Sequence, residues 1–154
     1  MKKWIVPIAA VVFALDRLVK LWVAQALSAG QRIDLIPGVI GICYTENTGM
    51  AFGMLSGGTV VLAIVTLVIL AGAVWLICRV KLSPMSCVGF ALSIAGALGN
   101  LFDRVFYGYV VDMIEPLFVE FAVFNIADIA LCIGLVLIGL SLFTTPSAWE
   151  KRDE

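Results

Sequence analysis

The chain has 154 residues, 62% of them hydrophobic and 14% charged, with 10 Lys and Arg against 11 Asp and Glu and a mean hydropathy of +1.10. That length suits one domain, and the composition excludes a soluble globular domain, a disordered chain and a disulfide scaffold, because soluble domains are about 45–50% apolar and about 25% charged. A formal net charge of −1 argues against a nucleic-acid binder, and the absence of histidine removes Ser-His-Asp, Cys-His and HExxH zinc chemistry. What remains is a single membrane domain over residues 1–154 whose chemistry runs without imidazole.

The first predicted span, about 4–27, follows Lys2 and Lys3 and is apolar except for Asp16, Arg17 and Lys20. Asp16 and Lys20 are i, i+4 and read as a structural polar pair buried between helices. The basic start and the small residues at 26–30 have the outline of a cleavable signal peptide, but charges interrupt the core where such a peptide is most apolar, so the span is expected to be retained. Residues 31–45 change texture. Arg32–Ile36 and Val39–Tyr44 flank Pro37-Gly38, a turn dipeptide between β-branched runs, and predict a β-hairpin on the membrane surface. No charge occurs from Asn47 to Cys78, from Leu82 to Phe102 or from Ile129 to Trp149. With about 20 apolar residues needed per crossing, these stretches predict spans at about 59–78, 84–101 and 122–143, with Pro84 in a first turn. The fold class is therefore all-α membrane: four transmembrane helices and a small outward-facing β-hairpin, with outer loops at about 28–58 and 102–121.

Six basic residues (Lys2, Lys3, Arg79, Lys81, Lys151 and Arg152) fall on one side of this topology, against Arg32 and Arg104 on the other. The asymmetry places both termini in the cytoplasm. Cys43, Cys78, Cys87 and Cys132 show no CxxC spacing. They read as small apolar residues, and no metal or cofactor is expected.

Polar residues inside spans cost free energy and need a reason. Asn47, Asn100, Asp103, Arg104, Asp112, Asn125 and Asp128 all map to the outward layer, as does Asp16, roughly 18 Å from an inner start at Trp4. A helix beginning near Ala122 puts Asp128 roughly 9 Å inside its span, too deep for a simple cap. Two carboxylates held close cannot both ionise and share a proton, so one activates water while the other serves as acid. Asp128 is the best member of such a pair by its depth, and Asp112, within the apolar run 109–114, is the best partner. Asp103 is expected to pair with its neighbour Arg104. Asn125 with Asp128 has the alternative reading of first-turn capping. Gly96, Ala97 and Gly99 keep one side of the third span thin enough for another helix or an extended peptide, and Met50, Phe52 and Met54 read as membrane-facing surface. Intramembrane carboxylates also mark proton and ion paths, so a small proton- or ion-translocating protein, or an assembly subunit, is the rival reading. A conducting path needs polar groups through the full thickness of the membrane, and the cytoplasmic halves offer little beyond Ser86, Ser93, Thr144 and Thr145.

Four segments carry a resemblance. Asn47-Thr48-Gly49-Met50-Ala51-Phe52, Gly96-Ala97-Leu98-Gly99-Asn100-Leu101-Phe102-Asp103-Arg104, Val110-Val111-Asp112 and Phe124-Asn125-Ile126-Ala127-Asp128 resemble, in order, the motifs of lipoprotein signal peptidase (signal peptidase II), a bacterial membrane aspartyl protease family. The resemblance covers nearly the whole chain. It implies that Asp112 and Asp128 are the catalytic dyad, that Asn100 and Asn125 support it, and that Asn47 and Arg104 hold the substrate peptide. It also implies a β-element at the hairpin around Pro37-Gly38, prolipoprotein substrates carrying a diacylglyceryl cysteine, contact with membrane lipids and no cofactor. Nucleic acid has no place in this reading, and a monomer in the bacterial cytoplasmic membrane, with its site toward the outer face, is expected. The family's usual first-span motif is Asp-Gln-x-x-Lys, whereas this chain has Arg17 at the Gln position. Arg17 is expected to snorkel outward or to meet a lipid phosphate. Leu117-Phe118-Val119 in the second outer loop hints at a lid.

Overall fold

A computed structural model describes residues 1–28, 31–49 and 57–150. Among the described residues there are four long helices: α1 (Ile5–Ala26), α2 (Thr59–Arg79), α3 (Pro84–Phe106) and α4 (Ile126–Thr144). Three strands, β1 (Arg32–Ile36), β2 (Ile40–Asn47) and β3 (Val110–Pro116), form one antiparallel sheet in the order β1-β2-β3. Among the described residues α2, α3 and α4 are long and apolar enough to cross a membrane, while α1 carries Asp16, Arg17 and Lys20. The molecule is thus mostly helical with a small sheet.

The helix starts follow local chemistry. Ser83 caps α3, its hydroxyl accepting from the Ser86 backbone N–H at 3.1 Å, and Pro84 opens the helix where a missing N–H costs nothing. Asn125 and Asp128 form a capping box at the start of α4. Hydropathy predicts that helix from Ala122, but it begins at Ile126 because residues 121–124 are apolar yet extended, with Phe124 bridged to Ile114. Asp128 therefore lies in the first turn rather than deep in the span. At the other end of the predicted loop, α3 runs on to Phe106 instead of stopping at Leu101.

The β-element is larger than a hairpin. Pro37-Gly38 makes the expected turn, with Gly38 at φ +72° and the Val39 N–H bonded to the Ile36 carbonyl at 2.9 Å. The predicted loop 102–121, however, contributes β3, which pairs with β2 from Asn47↔Val110 to Ile40↔Pro116. Residues 110–116 of that loop are sheet. Val23 of α1 and Leu27 at its C-cap pack with Val111 and Met113 of β3, which seats the sheet on one end of the bundle.

Packing divides the helices. The third and fourth meet backbone to backbone: a Cβ at Gly96 would strike the Ala127 carbonyl oxygen, and one at Gly89 would lie 2.9 Å from the Gly134 carbonyl oxygen. The thin side of α3 thus receives α4 and, at Gly99, the Asp16 carboxylate of α1; it is helix packing rather than a peptide groove. Ser86 and Ser141 join α3 to α4 at the far end by a 2.8 Å hydrogen bond. By contrast α2 buries only Leu62.

Candidate active site

Four elements, β2, α3, β3 and α4, deliver one polar cluster at the sheet end of the bundle. Asp112, at the centre of β3, is 2% exposed. It accepts from Asn47 Nδ2 on Oδ2 at 2.8 Å and from Asn125 Nδ2 on Oδ1 at 2.6 Å. Asn47 ends β2 and lies diagonally across the ladder on the same face as Asp112, because Asn47 opposes Val110 and side chains alternate. Asp128 accepts from Asn100 Nδ2 at 2.7 Å and from the Asn125 backbone N–H at 3.2 Å. Asn125 is the hinge between the carboxylates. Its amide donates to Asp112 and to Asn100 Oδ1, while its Oδ1 accepts the Asp128 backbone N–H at 2.9 Å. Capping and site-building are here the same residue pair.

Both carboxylates line a cavity of about 490 Å³. Asn47, Asn100 and Arg104 supply the polar wall, and Phe124, Ile129 and Ile133 are among the apolar lining. Burial pushes the Asp112 carboxyl up from its ordinary value to about 6; the bond from Asn47 opposes this, and the Asp128 charge adds to it. A carboxyl near 6 exchanges protons close to neutrality, which suits general acid–base work.

The remaining predicted residues settle as follows. Arg104 does not pair with Asp103: consecutive helical residues point to different faces. Its Nη2 donates instead to the Gly49 carbonyl at 3.2 Å, while Gly49 N–H bonds to Asn47 Oδ1 at 2.9 Å. Arg104 Nε is buried with no partner among the described residues. Asp16 and Lys20 lie 3.1 Å apart and are each 1% exposed. Asp103 joins them, with Oδ2 2.8 Å from Lys20 Nζ. Arg17 also turns inward: it pairs with Asp103 Oδ1 and lies 4.7 Å above the Phe102 ring, rather than reaching out to lipid. The Arg17–Asp103 pair escapes a reading of local spacing because it joins two helices. Met50, Ala51, Phe52 and Met54 lie outside the described residues. Among the described residues no group of His, Cys, Asp and Glu is arranged to hold a metal ion.

Apolar helices with a partly buried set of carboxylates and amides gathered at one end define a multi-pass membrane protein. The chain belongs to the signal peptidase II family, whose model matches residues 8–144. It is 39% identical over 132 residues to the lipoprotein signal peptidase of Clostridium novyi, covering 83% of this chain and 89% of that one. The lipoprotein signal peptidase of Clostridium acetobutylicum is also 39% identical, over 150 residues, with 95% and 96% covered. A bacterial membrane enzyme solved by the in meso method at 2.3 Å superposes with a TM-score of 0.87 at 33% identity, covering 97% of this chain and 93% of that one.

Proposed function

We propose that this chain is an aspartyl endopeptidase of the bacterial cytoplasmic membrane that removes the signal peptide from prolipoproteins carrying a diacylglyceryl cysteine. The observation that carries the reading is the Asn125 bridge, which ties Asp112 to Asp128 at the wall of a cavity with apolar flanks. All four helices cross the membrane. α1 does so with its charges neutralised internally, and both termini face the cytoplasm, as the basic residues favour. The sheet and the dyad then face outward, where a lipidated peptide meets both acyl chains and water. Acyl chains lie along the apolar spans, and Arg104, already donating to one backbone carbonyl, has the planar fork to hold a peptide.

In the reaction, Asp112 carries the shared proton and Asp128 is ionised. Asp128 takes a proton from water as the water oxygen attacks the scissile carbonyl carbon, while the Asp112 proton polarises the carbonyl oxygen and moves onto it. On collapse, Asp112 regains that proton, the C–N bond breaks, and Asp128 passes its proton to the departing amine. One water is consumed and both carboxyls return to their starting states. No step calls on a covalent nucleophile. The test is signal-peptide release from a purified diacylglyceryl-modified prolipoprotein in liposomes. Wild type cleaves, whereas Asp112→Asn and Asp128→Asn, with melting curves showing them folded, lose activity by at least about 1,000-fold. Wild-type rates in either variant would sink the dyad.

A further inference from the structure

Behind the two carboxylates lies a second charged layer that the reaction does not touch. Asp16, Arg17, Lys20 and Asp103 balance two positive charges against two negative ones, with Asp16, Lys20 and Asp103 each at most 1% exposed. The backbone bonds of this layer fall at two particular places. Asp16 Oδ1 accepts the Ala127 N–H at 3.0 Å, one residue before Asp128, and Asp103 Oδ2 accepts the Val111 N–H at 3.3 Å, one residue before Asp112. Lys20 lies between, with its ammonium near Asp16 and Asp103 and donating to Asn100 Oδ1 at 2.9 Å.

That last bond decides which way the Asn100 amide faces. An ammonium only donates, so it requires the oxygen end of Asn100. The NH2 end is then left to donate to Asp128 at 2.7 Å, and the same oxygen accepts from Asn125 Nδ2 at 3.1 Å. A flipped amide would set NH2 against NH3⁺ and oxygen against the Asp128 carboxylate. Asn125, donating to Asn100 and to Asp112, inherits the same orientation.

We propose that Lys20 is a positioning residue for signal-peptide cleavage: by fixing the Asn100 amide with its oxygen inward, it aims a donor at Asp128 and, through Asn125, another at Asp112. The inference rests on the assignment of Asp112 and Asp128 as the reacting pair. Misplacing a reacting group by about 1 Å costs on the order of 100-fold in rate.

Removing Lys20 alone would leave the buried layer with an unbalanced negative charge, so the test starts from Asp16→Asn. Asn keeps an oxygen for the Ala127 N–H, and adding Lys20→Met restores neutrality. Turnover of a diacylglyceryl-modified prolipoprotein and melting temperature are measured for Asp16→Asn, for that variant with Lys20→Met, with Asn100→Ala, and with both, alongside Asp112→Asn. On the Asp16→Asn background, Lys20→Met lowers kcat on the order of 100-fold and leaves KM unchanged. Once Asn100→Ala is present, the same change has almost no further effect on kcat, because Lys20 acts through that amide. An equal loss with and without the Asn100 side chain, or an unchanged kcat, overturns the proposal while an inactive Asp112→Asn leaves the dyad standing. Full activity in Asp112→Asn overturns both.

Discussion

Asp112 is almost wholly buried, yet its partners are the amide donors that suit a carboxylate, and this tension sets the pH behaviour of the molecule. Its carboxyl titrates at about 6 in the folded protein against an ordinary 3.8. Between those values the folded chain holds a proton that the unfolded chain has released, so this group's contribution to stability is complete below 3.8 and is lost as pH rises through about 6. The stability of the wild type, read through its melting temperature, should therefore gain on that of Asp112→Asn as pH falls from 7 to 4, by a free energy of at most on the order of 3 kcal/mol. The proposed reaction starts from protonated Asp112, and on that reading kcat/KM should decline as pH rises above about 6. A pH profile flat from 5 to 8 would remove Asp112 from the acid role. A second prediction concerns Arg17, which shares Asp103 with Lys20. Arg17→Met leaves the buried layer with an uncompensated negative charge and should cost about 3 kcal/mol, read as a lower melting temperature.

At the scale of elements, the contact between α3 and α4 carries the site, because Gly96 backs onto Ala127, next to Asp128. Gly96→Ala forces the helices apart there. It should cost about 1–3 kcal/mol and most of the activity, whereas Gly139→Ala, whose Cβ would meet nothing within 4 Å, should leave both unchanged. Melting and cleavage assays on the two variants check the contrast. The same elements show what hydropathy reads and what it misses. It finds helices at about 59–78 and from 84 onward because apolar runs bounded by charge leave little choice. It misplaces the start of α4, since residues 121–124 are as apolar as helix, and only the Asn125…Asp128 capping spacing marks the true beginning. It passes over β3, although Val110-Val111 and Ile114 are β-branched, because the pairing partner lies before α2 and nothing local announces a strand that far away. The polar residues that form the site stand out in sequence against an apolar background. Their pairing does not, since Arg17 with Asp103 and Asn47 with Asp112 are contacts between separate elements.

For the whole molecule, the proposed topology predicts one-sided labelling. In a variant with its own cysteines replaced, a membrane-impermeant maleimide applied to intact cells with an opened outer envelope should modify Asp34→Cys on the sheet. Lys3→Cys should react only after lysis, and the reverse pattern would invert the orientation. Asn47, Asn100, Asp112, Asn125 and Asp128 come from β2, α3, β3 and α4, and the layer behind them from α1 and α3. The last of these, Asn125 and Asp128, form the first turn of the final long helix. A ribosome has thus built every element from α1 to β3 before the candidate site has its second carboxylate, and the capping box that starts α4 supplies that carboxylate. Helix initiation and the arrival of the site coincide in one turn of chain. If Asp112 and Asp128 are the reacting pair, the nascent chain should be inert toward peptides beside it in the membrane until α4 begins, and proteolytic competence would report that α4 has started in the right place.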